Sequence, residues 1–259
     1  MLSLSGDWVN QYVVLTVLMS IRILGVFLAM PLFAFKALNM RLRVVVSLLL
    51  AYFVLISMPA VSQNVVVQDF SLLAVLSELG IGLVCGWVMR VGLISIAMLA
   101  EALSMQAGLS FAATFTHDPA LASGLIGELL GMIALALAFA LNVHLIFLEV
   151  MLQSFTLVPV GQWFETLSLD AVLKLLAQTF ALGIVVAVPT FVVYYMFNMT
   201  QAILARVSPQ MNLFSVGFAM MVPLAFAIIA LLLPGFPDLV IRSLELPMSF
   251  IREHLGQIK

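Results

Sequence analysis

Apolar residues dominate this chain in long runs that only a few polar residues interrupt. The hydrocarbon core of a bilayer is about 30 Å thick, so a helix that crosses it needs about 20 mainly apolar residues. Each long run is close to this length or longer. The pattern predicts an all-α, multi-pass membrane protein built from long helical hairpins that are broken at proline and glycine. The runs are Trp8–Phe35, Val44–Val61, Phe70–Phe111, Leu125–Val158, Ala171–Ile203 and Leu213–Leu233.

Four segments depart from the pattern of a simple spanning helix. Phe70–Phe111 is too long for one ordinary crossing, and we expect two helices that meet near Arg90. Leu125–Val158 is also longer than needed and predicts a hairpin or a helix that extends beyond the bilayer. Pro189 predicts a kink or a break, because proline removes a backbone hydrogen bond. Asp238–Lys259 mixes apolar and charged residues, which is typical of an interfacial or partner-docking helix.

The segment Gln106–Gly124 separates two apolar runs with small, aromatic and turn-forming residues. Gly108 permits backbone angles that other residues resist, and Asp118-Pro119 favours a turn. Non-helical backbone cannot face lipid, because unpaired amides and carbonyls are too costly there. The segment is therefore an ordinary loop between helices, or it is buried in an assembly, or it lines a pore. Phe111 and Phe115 add bulky apolar side chains that suit packing into a constriction.

The composition supports a membrane protein and excludes one function class. Hydrophobic residues make up 64% of the chain, charged residues only 8%, and the mean hydropathy is +1.25. These values lie far outside those of soluble domains. The formal net charge of -2 offers no basic surface to offset nucleic-acid phosphates, which excludes a nucleic-acid role. Cys85 is the single cysteine and cannot form an internal disulfide.

The ionisable residues do not form a recognisable catalytic or metal-binding pattern. His144 and Glu149 are five residues apart, which on a helix directs them away from each other, unlike the i,i+4 pairs of helical zinc sites. The motifs HExxH and GxSxG and the phosphate-binding loop are absent from the sequence. The sequence therefore predicts that the protein is not an enzyme and has no cofactor and no metal.

Charged residues inside apolar runs instead predict internal pairing, since such groups need protein or water around them. Arg22 lies near the middle of the first run, and we expect it to face a protein partner. Glu101 could pair with Arg22, Arg90 or Arg206, and the sequence leaves this choice open. The pattern Gly82-x-x-x-Gly86 places two glycines on one helix face, where another backbone can approach closely.

The run Arg206–Phe218, with the sequence RVSPQMNLFSVGF, closely resembles the signature of the FliR family of flagellar type III export-gate proteins. Other matches follow the order of that family and span nearly the whole chain. Ala219 departs from the family, in which proline commonly follows the Gly-Phe pair, and this leaves the local helix geometry open. The other matches are Arg22, Glu101 with QAGLSFA, Asp118-Pro119, Asn142, His144, Ser154, Phe155, Pro159 and Gly161. The signature residues expected to be structural are Pro31, Pro189, Pro209, Gln210, Asn212 and Gly217.

The resemblance implies an all-helical subunit that joins FliP and FliQ in an export gate, contacts FlhB and lies near FlhA. This gate would lie in the bacterial inner membrane, in the flagellar basal body, and pass unfolded flagellar subunits. Residues 1–124 would resemble FliP, and residues 125–259 would resemble FliQ. A central loop plugs the channel in this family, and Gly108–Ser123 matches it here. The residues expected to form the plug are Gly108, Leu109, Ser110, Phe111, Phe115, His117, Asp118 and Pro119.

Two alternatives remain at this point. The equivalent subunit of a virulence type III secretion system has a similar architecture, although the Arg206–Phe218 run looks more flagellar. A small-solute or proton-coupled transporter would belong to another class of protein. Transporters often contain internal repeats with paired broken helices. Pro189 and the break at 108–119 do not occupy matching positions in two halves, which disfavours this alternative.

Overall fold

The computed structural model describes residues 6–30, 39–57, 71–107, 124–162, 168–208 and 213–255, and the ordered elements in these ranges are all helical. The all-α prediction is confirmed for this part of the chain. A short 3₁₀ turn, Leu233–Gly235, joins the last two α-helices. The α-helices are α1 (Gly6–Ala29), α2 (Met40–Ser57), α3 (Leu72–Gln106), α4 (Gly124–Ala140), α5 (Val143–Leu157), α6 (Leu169–Val207), α7 (Leu213–Leu232) and α8 (Phe236–Leu255).

The lengths and compositions of these helices fit a multi-pass membrane protein. Within the described residues, five helical segments are long and apolar enough to span a bilayer, or six if α4 and α5 together form one span. Helices α3 and α6 have 35 and 39 residues. At 1.5 Å per residue each is more than 50 Å long, well beyond the roughly 30 Å hydrocarbon core. Each of the two helices must therefore tilt strongly or extend outside the hydrocarbon.

The break predicted near Arg90 is wrong, and of the kink or break predicted at Pro189 the structure excludes the break. Helix α3 is continuous through Arg90, because the run contains no proline and tertiary packing stabilises its glycines. Helix α6 is continuous through Pro189. A proline inside a helix costs about 3 kcal/mol. Ending the helix among apolar residues would leave several backbone groups unpaired, at a cost of several kcal/mol each in lipid. Continuing the helix is therefore the less costly arrangement.

The long run 125–158 divides into α4 and α5 at a short turn, Leu141–Asn142. Asn142 has a φ angle of 56°, in the left-handed region. Asparagine tolerates this conformation better than most residues other than glycine, because its short polar side chain can bond locally. Asn142 therefore accounts for the position of the turn.

The chain forms two compact units that are interleaved along the sequence. Unit 1 contains Met1–Val91, Val143–Leu175 and Pro247–Lys259, and unit 2 contains Gly92–Asn142 and Leu176–Leu246. These two units are defined by contacts within the chain. The predicted halves 1–124 and 125–259 are defined by their resemblance to FliP and FliQ, so the units do not test them. Those halves stay a prediction. In unit 1 the fully buried apolar side chains include Leu18, Met19, Ile23, Ile81, Val88, Met89 and Phe147.

Glycines allow α1 and α3 to pack at backbone distance inside unit 1. A Cβ atom on Gly82 would collide with the carbonyl oxygen of Arg22, and one on Gly86 would lie 2.7 Å from Cβ of Ala29. On the facing helix, a Cβ on Gly25 would lie 2.9 Å from a carbonyl oxygen of α3. Real Cβ atoms essentially never come within 3.0 Å of such neighbours. The expected close approach at Gly82-x-x-x-Gly86 is therefore confirmed.

We expect Gly82→Ala to destabilise the protein by about 1–3 kcal/mol, because the added methyl group forces two backbones apart. Gly131→Ala is the matched control, since nothing lies within 4 Å of a Cβ atom at this helical position. That change should be neutral or stabilising by up to about 1 kcal/mol. Denaturant titration of the protein, extracted from its native membrane with any subunits bound to it, measures both effects. Equal stability of the two variants would show that α1 and α3 are not in close contact.

Candidate functional site

Arg22, in the middle of α1, is completely buried. Its neighbours Met19 and Ile23 are buried apolar side chains. A guanidinium group stays charged in proteins, so it cannot escape burial by losing its proton. Removing a charge from water costs several kcal/mol unless partners replace its hydration. The stability of unit 1 therefore depends on what Arg22 contacts.

The main partner of Arg22 is Glu78 of α3, which is also completely buried. Nε of Arg22 donates to Oε2 of Glu78 at 2.7 Å, and Nη2 donates to Oε1 at 3.0 Å. These are two parallel, charge-assisted hydrogen bonds, the strongest geometry available to an arginine and a carboxylate. The ion pair fixes the rotation of α1 against α3.

The remaining bonds of Arg22 go to the end of α5. Nη1 donates to the carbonyl oxygens of Ser154 at 2.8 Å and Val158 at 3.0 Å. The Ser154 carbonyl also accepts the backbone N–H of Val158, at 3.0 Å. The carbonyls at the end of a helix carry partial negative charge, so a cation is favoured there. The guanidinium carbon also lies 4.6 Å from the ring centre of Phe155, a distance typical of a cation–π contact.

Glu78 in turn binds the turn that follows α5. Its Oε1 accepts a hydrogen bond from the backbone N–H of Gly161 at 2.9 Å. Gly161 has a φ angle of 86°, which strongly favours glycine. The Arg22–Glu78 pair therefore joins α1, α3, and the end of α5 with its turn. We call this set of contacts the charge-pair cluster, formed by Arg22, Glu78, Ser154, Phe155, Val158 and Gly161.

The chemistry of the charge-pair cluster is that of a structural element. Both charged groups are buried and use their polar atoms on each other or on backbone groups. A catalytic group would need access to a substrate, and neither Arg22 nor Glu78 has it. Among the residues that the structure describes, no three His, Cys, Asp or Glu side chains meet to hold a metal ion.

The partner of Arg22 excludes one of the three pairings that the sequence left open for Glu101. Glu101 was the candidate carboxylate for Arg22, Arg90 or Arg206, but Arg22 bonds to Glu78. Glu101, Arg90 and Arg206 are exposed, and none of them forms an ion pair with another described residue. The sequence contains only a partial indication that Glu78 is the partner of Arg22. It lies four residues before Gly82, on the helix face that approaches α1.

Other predicted site residues lie in scattered places or outside the described ranges. Pro189 is exposed on α6. Gly217 is buried on α7, and a Cβ atom there would lie 3.0 Å from Oε1 of Gln201. The predicted residues outside the described ranges are Pro31, Pro209, Gln210, Asn212 and the whole proposed plug, Gly108, Leu109, Ser110, Phe111, Phe115, His117, Asp118 and Pro119.

A weaker, exposed set of polar contacts holds the end of α8 against α5. Arg252 donates to Glu149 at 3.4 Å and to Gln153 at 3.3 Å. Gln153 also donates to Glu149 at 3.0 Å. Exposed ion pairs contribute about 0–1 kcal/mol each. These contacts therefore orient the end of α8 against α5 but add little to stability.

The fold and the charge-pair cluster define a class of protein: a multi-pass helical membrane protein in which the buried charges of Arg22 and Glu78 pair with each other and hold helices together. The family comparison is more specific. The family model described as "Bacterial export proteins, family 1" matches residues 13–246, which include all six residues of the charge-pair cluster. The chain belongs to this family.

Several flagellar biosynthetic proteins align with most of the length of this chain. The flagellar biosynthetic protein FliR of Buchnera aphidicola, subspecies Acyrthosiphon pisum, is 26% identical over 239 residues, 92% of each chain. FliR of Caulobacter vibrioides is 31% identical over 83% of this chain and 86% of its own. FliR of Escherichia coli is 26% identical over 83% of this chain and 82% of its own.

We expect Glu78→Gln to lower the free energy of unfolding by about 3–5 kcal/mol, because it leaves the buried Arg22 charge unpaired. Asp170→Asn is the control. It breaks the Asp170–Lys174 ion pair, whose side chains are 75% and 71% exposed, and should have little effect on stability, because solvent screens exposed charges. Denaturant titration of the protein, extracted from its native membrane with any subunits bound to it, compares the two. A cost for Glu78→Gln no larger than that of the control would contradict the role of the pair.

Proposed function

We propose that this chain is a subunit of the flagellar type III export gate and helps to pass unfolded flagellar subunits across the bacterial inner membrane. The observation that carries this proposal is the family match over residues 13–246, together with FliR relatives that align along most of their own length. Its role is that of a channel component and not of an enzyme. The charge-pair cluster supports such a role, since it stiffens the framework without offering a reactive group.

The proposed partners are FliP and FliQ in the gate, FlhB in contact with it, and FlhA nearby. Exposed charges on a long apolar helix support an assembly of this kind. Arg90 and Glu101 are exposed on α3, and charged groups at membrane depth need protein or water around them. Helix α2 has large exposed apolar side chains, with Phe53 66% exposed. Partner helices or lipid would cover that surface.

Loss of export is the direct test of this function. Cells that lack the chain should secrete no hook or filament protein, and the intact chain should restore secretion. The readout is the amount of flagellar protein in the culture medium, with cytoplasmic flagellar protein as the control for synthesis. Normal secretion without the chain would refute the proposal.

We also expect the chain to require its partners for stability. Expression alone should give degraded or aggregated protein, since Arg90 and Glu101 would then have lipid or detergent around them. Expression with FliP and FliQ should give a complex that co-purifies in a defined ratio. Size-exclusion chromatography with light scattering measures both outcomes. A folded, monodisperse monomer after expression alone would argue strongly against the assembly.

The proposed gate residues are 108–123, between α3 and α4. Apolar constrictions can close a channel by excluding water as well as by filling space. Phe111 and Phe115 would supply the bulk, Gly108 the freedom to move, and Asp118-Pro119 a fixed turn. This role is supported by the family resemblance and by the long apolar helices on both sides of the segment.

Deletion of residues 110–116 should make the assembled channel leak, because it removes both phenylalanines from the proposed constriction. Ion conductance across the inner membrane is measured in cells that carry the full complex, with the intact complex at equal abundance as the control. A deletion that assembles normally and conducts no more than the intact complex would place the seal elsewhere.

A further inference from the structure

A groove of about 220 Å³ lies within unit 2, among α3, α6 and the junction of α7 with α8. Its walls are almost entirely apolar. Leu99, Phe236 and Leu239 line it and are otherwise buried. The other lining residues are Leu182, Val185, Val186, Leu232, Gly235, Asp238 and Arg242.

The size of the groove limits what it can hold. Pockets for compact small molecules usually measure about 300–1,000 Å³ and enclose most of the ligand. This groove is smaller and only partly enclosed. It therefore suits one part of an elongated apolar molecule. An α-helix is about 10–12 Å across, so a partner helix could place only a side chain or two inside it.

Two opposite charges lie at the polar edge of the groove. Asp238 and Arg242 are one helical turn apart on α8, and both are exposed. They form no ion pair with each other or with any other residue in the described ranges. Asp170 and Lys174 have the same spacing on α6 and do form an ion pair, at 2.7 Å. The charges of Asp238 and Arg242 are thus both available to a ligand.

The groove lies where the chain changes from apolar to amphipathic. Helix α7 is almost wholly apolar, while α8 combines an apolar face with charged residues. An amphipathic helix of this kind belongs at the boundary between headgroups and acyl chains. At this boundary the groove would meet both parts of a lipid molecule.

We propose that this groove holds one phospholipid with an ethanolamine headgroup. One acyl chain lies against Leu99, Val186 and Leu239, the phosphate binds Arg242, and the ammonium group binds Asp238. The headgroup carries these two charges two carbons apart, with the signs that match the pair. An anionic glycerol headgroup has no cation for Asp238. Binding would fix the junction of α7 and α8 at the membrane surface.

Photolabelling of the full chain, in nanodiscs with its co-purifying subunits, tests this site. The probes are phosphatidylethanolamine and phosphatidylglycerol that carry a photoreactive acyl chain, and labelled peptides are mapped by mass spectrometry. The ethanolamine probe should label residues 182–186 and 232–239 more than the glycerol probe. The double variant Asp238→Asn, Arg242→Gln should reduce this labelling about fivefold, as expected for two partly exposed ion pairs. The control Asp170→Asn, Lys174→Gln should not change it.

A second variant separates lipid binding from folding. Val186→Trp fills the groove and leaves both charges in place, so it should reduce labelling of residues 182–186 without changing the recovery of the complex. Equal labelling by both probes, or no effect of removing the charges from an intact complex, would overturn the proposal. Absence of lipid labelling together with cross-links from the groove to a partner subunit would also overturn it.

Discussion

The buried charge of Arg22 is the constraint on which unit 1 depends. Lipid and apolar side chains cannot solvate a guanidinium group, and the group cannot lose its proton. The protein therefore brings a carboxylate, Glu78, and two carbonyl groups at the C-terminal end of α5, those of Ser154 and Val158, to it. A pair of this kind adds little net stability compared with apolar residues, but breaking it is costly. Its effect is to make any packing of α1, α3 and α5 that separates the charges unfavourable.

Close packing of the backbones makes these contacts possible. Gly82 lies against the backbone at Arg22, and Glu78 is one turn earlier on the same face of α3. A side chain at Gly82 would push α3 away from α1 and lengthen the bonds of the pair. Gly161 contributes at the other end, because its positive φ turns the chain so that its N–H reaches Glu78. The glycines and the charges therefore depend on each other.

The sequence predicted the helical class and the approximate extent of the spans, because apolar length is a direct consequence of bilayer thickness. The expected break near Arg90 is wrong, and so is a break at Pro189, because packing and the cost of unpaired backbone in lipid override local helix-breaking tendencies. The sequence indicated that Arg22 needs a partner but not that the partner is Glu78, since the two residues are 56 positions apart and the sequence does not show which helices meet. The plug at 108–123 stays a prediction from sequence and resemblance.

A double-mutant cycle on Arg22 and Glu78 tests the central claim most directly. Arg22→Met, Glu78→Leu and the combined variant are made in the full complex, and the free energy of unfolding is measured for each by denaturant titration. The account predicts that the double variant is less destabilised than the sum of the single variants, with a coupling energy of about 2 kcal/mol or more. Effects that add within about 0.5 kcal/mol would contradict it, because they would mean that the two charges stabilise the fold independently.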